Sequence, residues 1–219
     1  MIKMKQDDIK HHLTDDLLMA YSAGTLPEAY SLAVAAHISM CDESRARMHA
    51  FDAVGGSLVE RSDAVAMSAN SLQETLGMID AMEPLAKTAG SHEGVLPAPV
   101  QDYVGGDLES VKWRPVGMGV KQAILPIEGN ANARLLYIPA GGAMPDHGHR
   151  GMELTVVFQG AYSDGENQFG PGDIEIAGEE DDHTPVADIG EDCICLTVTD
   201  APLKFNSWLP RVMQRFFRI

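Results

Sequence analysis

Two imidazoles and a carboxylate fall within seven residues of this chain, at His147, His149 and Glu153. All three side chains are Lewis bases suited to a borderline divalent metal. His147 and His149 are two apart, so on extended backbone they leave the same face. Glu153 opens the apolar run Leu154-Thr-Val-Val-Phe158, and His183 follows the turn Pro171-Gly172-Asp173. It is placed to be a fourth ligand. His-x-His alone is common on solvated loops, so the carboxylate and the distant histidine carry the argument. A second set lies upstream in His37-Ile-Ser-Met-Cys41. Residues four apart share a helix face, so an imidazole and a thiolate there can converge on one ion. Ser44 continues that face, and His11-His12 lies just before the first predicted helix, so one of the pair could fold back as a third ligand.

These residues need two kinds of scaffold. Up to residue 83 the apolar spacing is helical. Thr14 is a candidate N-cap for a helix carrying Asp15 and Asp16 in its first turn, with Leu17, Leu18 and Tyr21 on its apolar face and Gly24 as its stop. Thr25-Leu-Pro-Glu28 and Ser71-Leu-Gln-Glu74 read as capping boxes opening further helices. Met48, Phe51, Val54 and Leu58 mark another, weakened by Gly55-Gly56. The expectation is a small bundle of about four short helices over residues 1–83. Residues 84–100 carry Pro84, Gly90, Gly94, Pro97 and Pro99 and read as a linker. Over residues 101–219 the period changes to two. Val111–Pro115, Val120–Leu125, Arg134–Ile138, Leu154–Phe158, Asp173–Ile176 and Cys193–Thr199 read as strands punctuated by Gly and Pro, the pattern of an all-β barrel or sandwich.

Composition narrows the function. The 219 residues carry a net charge of -16. Acids outnumber bases in both halves, 13 to 6 up to residue 83 and 19 to 10 beyond it. Both halves should repel nucleic-acid phosphates, which excludes direct DNA or RNA binding and favours a basic protein partner. No apolar run approaches a membrane span, and no basic-then-apolar leader opens the chain, so a soluble cytoplasmic protein is expected. Three cysteines, Cys41, Cys193 and Cys195, make no disulfide framework and fit a reducing compartment. Cys193 and Cys195 lie on one strand face, opposite Ile194, Leu196 and Val198. That leaves two readings, a redox pair or simple packing.

The run from Gly141 through His147, His149 and Glu153 to Gly160 resembles the first sequence motif of the cupin superfamily at every position. Gly165, Pro171-Gly172-Asp173, Gly178 and His183 resemble its second motif more loosely, since Ile176 stands where a proline is usual. Across its whole length the chain resembles the cytoplasmic zinc-binding anti-sigma factors of the ChrR type. That resemblance rests on His12-Leu-Thr-Asp-Asp-Leu-Leu, Tyr21-Ser-Ala-Gly-Thr-Leu, His37-Ile-Ser-Met-Cys41-Asp-Glu-Ser44-Arg and Asp52-Ala-Val-Gly-Gly-Ser-Leu. Pro145-Asp-His-Gly-His-Arg-Gly, His183-Thr-Pro-Val-Ala, Cys193-Ile-Cys-Leu and Phe205-Asn-Ser extend it.

The resemblance implies an N-terminal helical anti-sigma domain and a C-terminal cupin jelly-roll. It implies one-to-one binding of an extracytoplasmic-function-type (group IV) sigma factor, with release under singlet oxygen or related oxidants. It also implies two zinc ions per chain, one on His12, His37 and Cys41 and one on His147, His149, Glu153 and His183. The family's fourth ligand at the first site is a cysteine, and Ser44 stands there instead. Water can complete that site, Asp42 or Glu43 can step in, or zinc can be held weakly. Water is the expectation. A second class of function is enzymatic, because cupins with the same ligand set include metal-dependent dioxygenases. The helical half would have no role in that reading.

Overall fold

The computed structural model describes residues 9–82, 94–144, 147–148, 151–165, 167–178, 182–200 and 204–205. Most of the expected linker, residues 84–93, lies outside them. Five α-helices come first: α1 (Asp15–Ser22), α2 (Glu28–Met40), α3 (Asp42–Glu60), α4 (Ser71–Ala81) and α5 (Ala98–Val104). The strands follow, from β1 (Arg114–Gly117) to β12 (Lys204–Phe205).

Side-chain caps set the starts of α1 and α3 but not of the other helices. Thr14 caps α1, its hydroxyl accepting the Leu17 N–H at 3.4 Å. Neither expected capping box forms. Pro27 occupies the N-cap of α2 with no side-chain bond, and the Thr25 hydroxyl instead donates back to the Ala20 carbonyl. Asn70, not Ser71, precedes α4 and likewise makes no cap bond. α3 differs from the expected short helix. It runs 19 residues straight through Gly55-Gly56, and Cys41 is its N-cap. Each glycine costs an exposed helix roughly 1 kcal/mol relative to alanine, which a helix this long tolerates. α5 adds a fifth helix to the expected four, within residues whose prolines suggested only a break. Pro97 and Pro99 instead stand at its start, where the missing N–H is harmless.

A six-stranded antiparallel sheet forms the main wall of the barrel, in the order β1, β2 (Val120–Ile124), β3 (Asn132–Ile138), β11 (Cys193–Thr199), β5 (Glu153–Gln159), β8 (Ile174–Ala177). Two three-stranded sheets complete it. One orders β10 (Val186–Ala187), β6 (Tyr162–Ser163) and β7 (Gln168–Phe169), and the other β12, β4 (His147–Gly148) and β9 (Asp182–His183). The two-residue strands were too short for alternation to reveal.

Period two divides the six-stranded sheet into unlike faces. Leu135, Leu154, Val156, Phe158, Ile174, Ile194, Leu196 and Val198 point one way, into a core shared with Leu18, Leu32, Ala33, Val34 and Ala36 of the helices. The opposite face lines the barrel interior with Val120, Ile138, Val157 and Cys193, packed on Tyr162, Phe169 and Ala187 of the facing sheet. The helices and the barrel therefore share one continuous apolar core, with α2 laid on the sheet. α2 is buried nearly all round, at Ala29, Tyr30, Leu32, Ala33, Val34, Ala36, His37 and Ile38, which suits a helix sandwiched between neighbours.

Leu196 sits at the centre of this shared core and is fully buried. Leu196→Ala should cost roughly 2–5 kcal/mol in chemical denaturation. Because the core is shared, the far-ultraviolet helical signal and tryptophan fluorescence should be lost in one coincident transition. Two separated transitions would contradict a common core.

Candidate metal centres

The first centre assembles at the junction of α2 and α3. His12, His37 and Cys41 bring their ligand atoms within 4.8 Å of one another, and His12 Nδ1 lies 3.3 Å from Cys41 Sγ. In tetrahedral zinc sites neighbouring donors are about 3.3–3.6 Å apart, so these three fit with small adjustment. His37 and Cys41 are both buried, and His12 is partly so. The chain makes a sharp turn at Cys41, which closes α2 and caps α3 in extended conformation. The thiol sulfur accepts the Ser44 N–H at 3.4 Å.

The tautomer of His37 favours a metal. Its Nδ1 lies 2.9 Å from the Gly172 carbonyl oxygen, which can only accept, so Nδ1 carries the proton. Nε2 then presents its lone pair toward the cluster, the arrangement usual for a ligating histidine. Burial pushes the imidazole down to about 4, against the opposing pull of the Gly172 carbonyl. The ring is neutral near neutral pH, as ligation requires.

Ser44 occupies the place expected for a fourth ligand. It is fully buried, and its hydroxyl lies 2.9 Å from His37 Nε2, where it donates to that lone pair. Both neighbouring acids have other partners. Asp42 pairs with Arg45, and Glu43 reaches the outer Nε2 of His12 at 3.6 Å. Glu43 thus steadies the His12 ring from outside while Nδ1 faces the thiol.

The barrel supplies much of the support for this centre. Besides the Gly172 carbonyl on His37, Asp173 Oδ1 accepts the N–H groups of Lys10 at 2.6 Å and His11 at 2.9 Å. The Ile174 N–H donates to the His11 carbonyl, and the His11 ring packs 4.4 Å from that of Phe169. The segment leading to His12 is therefore pinned to the turn before β8. Gly172 has a φ of +90°, and a Cβ there would run into Ile9 at 2.6 Å. Ile9 could yield, but the positive φ is one that side chains with a Cβ rarely adopt, so the position favours glycine. Sequence reasoning read Pro171-Gly172-Asp173 as a turn and missed this role. The unusual burial of Asp173 becomes evident only once both halves are folded.

The second expected centre is partly described. The backbones of β4 and β9 set His147 directly opposite His183 in antiparallel register. His149 lies outside the described residues, as do the side chains of His147 and His183. Glu153 begins β5, is buried, and accepts the Thr155 hydroxyl at 3.4 Å. α2 touches this region too, because the Tyr30 hydroxyl donates to the carbonyl of Met152 at 2.6 Å. Tyr30 and His37 are seven residues apart, about 10 Å along one helix. One helix thereby contacts the backbone beside Glu153 and carries a ligand of the first centre.

Cys193 and Cys195 lie on the barrel's inner face, both buried and both free thiols. The hydrogen bond with Cys193, together with burial, pushes the Cys195 thiol well above its ordinary value. A protonated, enclosed thiol is a slow nucleophile, and the packing reading describes this environment better than the redox one.

Replacing the hydroxyl of Ser44 by a thiolate restores a full donor set. Ser44→Cys should tighten zinc binding at the first centre by at least about tenfold in competition against a chromogenic chelator, given the preference of zinc for sulfur. An unchanged affinity would mean that residue 44 does not face the metal.

Comparison with known proteins completes the description. Residues 101–202 match the ChrR cupin-like domain family. The anti-sigma-E factor ChrR of Cereibacter sphaeroides is 58% identical over 211 residues, covering 96% of this chain and 99% of that protein. The crystal structure of Rhodobacter sphaeroides SigE in complex with the anti-sigma ChrR superimposes with a TM-score of 0.78 at 57% identity, covering 88% of this chain and 99% of the matched one. On this similarity along nearly its entire length, the chain belongs to the ChrR family of anti-sigma factors.

Proposed function

We propose that this protein binds an extracytoplasmic-function-type (group IV) sigma factor as a one-to-one complex in the cytoplasm and holds it away from RNA polymerase. The observation that carries this reading is the exposed apolar surface of the helical half. α4 has no buried residue, and Leu72, Leu76, Ile79 and Met82 recur at helical spacing along it, all exposed. Val54, Leu58 and Val59 near the end of α3 are exposed as well. A stable bundle would bury such a stripe, so its natural cover is a partner. The likeness to an anti-sigma factor seen bound to its sigma factor supports the same partner class. The acidic balance adds complementarity toward the basic faces of a sigma factor. The role is regulatory rather than enzymatic. No helix among the described residues is long and apolar enough to cross a membrane.

His12, His37 and Cys41 are assigned to zinc, with water in the place facing Ser44. Bound there, zinc would cross-link the segment before α1, the end of α2 and the start of α3. His147, His149, Glu153 and His183 are assigned to a second ion inside the barrel. In this reading the barrel half senses singlet oxygen or a related oxidant, and its change weakens the hold on the sigma factor. α2 and the Gly172-Asp173 turn supply the physical connection. Displacement of the backbone at Met152 reaches Tyr30, and displacement at Gly172 reaches His37 and the segment before His12. Cys193 and Cys195 are not needed for this route.

Two tests separate the parts. Leu76→Glu combined with Ile79→Glu should abolish copurification with the cognate sigma factor and leave the melting temperature of the free chain nearly unchanged, since both residues are exposed. His147→Ala or His149→Ala should leave sigma binding intact and remove oxidant-triggered release. A normal oxidant response in those variants would place the sensor elsewhere.

A further inference from the structure

The uncovered face of α4 carries two thioethers, Met78 in its last turn and Met82 at its C-cap. Each residue is 64% exposed, whereas Met40, Met48, Met144 and Met152 lie in or against the two apolar cores. Residues four apart share a helix face, so the two sulfurs stand side by side. They continue the stripe of Leu72, Leu76 and Ile79, all exposed as well. α4 buries none of its residues, so packing inside the chain does not select methionine over leucine at these positions.

What separates methionine from leucine there is a soft, oxidisable sulfur. A hydroperoxide supplies the oxygen. A sulfur lone pair attacks the terminal oxygen of the hydroperoxide, the O–O bond breaks and an S–O bond forms. The sulfur is oxidised to the sulfoxide and the hydroperoxide is reduced to an alcohol, whose oxygen takes up the hydroperoxide's own proton. The sulfoxide replaces an apolar group by a strong dipole. In water that dipole is solvated and harmless. Under an apolar partner surface it loses its water without gaining a matched donor, and the contact weakens.

Access decides when the reaction occurs. Both sulfurs are open in the chain by itself, and a partner seated on the stripe would shield them. Oxidation therefore selects the chain whose partner has left. We propose that Met78 and Met82 form a reversible oxidation site, converted to sulfoxides by a hydroperoxide in the uncovered chain, and that the sulfoxides prevent recapture of the sigma factor until methionine sulfoxide reductases restore the thioethers. This rests on the α4 face being the sigma contact, and on neither metal centre. The barrel would govern release, and these sulfurs would govern return.

The test uses the full chain, free and in complex with its cognate sigma factor, and tert-butyl hydroperoxide at a dose that leaves the Cys41 thiol unmodified. Peptide mass mapping reads the added oxygen at each methionine. Met78 and Met82 should be oxidised in the free chain, and at least about fivefold more slowly in the complex. Once the peroxide is removed, affinity for fresh sigma factor should have fallen at least about tenfold. Methionine sulfoxide reductases for both epimers, with dithiothreitol, should restore it, and dithiothreitol alone should not. Met78→Leu combined with Met82→Leu, compared with its own untreated affinity, should lose none on the same treatment. Unchanged affinity in wild type carrying both sulfoxides overturns the inference. So does an equal loss in the double leucine variant, or oxidation of these residues that is no slower in the complex. Untreated Leu76→Glu with Ile79→Glu distinguishes the two readings. If that variant still copurifies with the sigma factor, the α4 contact and this inference fall together. If it does not, and the sulfoxides leave recapture unchanged, this inference alone falls.

Discussion

The hydrogen bond from His37 to the Gly172 carbonyl joins the two halves at the point where each depends on the other. A helix residue assigned to a metal takes its tautomer from a turn of the barrel. That turn runs through Gly172 at a φ of +90°, a conformation that favours glycine. Around that bond, Asp173 gathers the backbone ahead of His12, and the apolar face of the sheet covers α2. A helical unit folding alone would lack the carbonyl, the Asp173 carboxylate and most of the cover for Val34 and Ala36. The first candidate centre is thus a property of the junction, although the three residues it gathers come from the first 41 of the chain.

α2 is the mechanical element of the molecule. Helices transmit displacement well along their axis, because their hydrogen bonds run in that direction. α2 is fixed to the backbone beside Glu153 by Tyr30 and to the β8 turn by His37. Glu28, at its first residue, accepts bonds from the Tyr103 hydroxyl and the Glu128 N–H, both 2.7 Å, so its start is anchored to the barrel half as well. α3 follows from Cys41 without a spacer and ends in the exposed apolar residues. The helix laid on the sheet is thus joined directly, through Cys41, to the helix that carries that exposed apolar surface.

The division of the chain into helical and β parts was legible because the apolar period changes from 3.6 to 2, and most long strands lie close to where alternation places them. Helix-face spacing paired His37 with Cys41 and family likeness added His12 as candidate ligands, and the structure brings those three residues together. Other features depended on contacts that no local pattern contains. The capping boxes of Thr25 and Ser71 had the right residues, but the helices start at positions that leave them unused. Asp173 looked like a turn residue because its partners lie more than 160 positions away. Arg134 looked like one polar residue in a strand. Its place on the inward face, level with Thr197 and Glu175, follows from cross-strand register, which is set by tertiary pairing.

α4 buries none of its side chains, and its leucines, isoleucine and methionine stand in water whenever no partner covers them. Bare apolar helices tend to find one another, so copies of the uncomplexed chain would associate if nothing held them apart. The surplus of 32 acids over 16 bases provides that separation through mutual repulsion. The acidity thereby acts as a dispersant while that apolar face stands uncovered, and that protection weakens as salt shortens the reach of the charges.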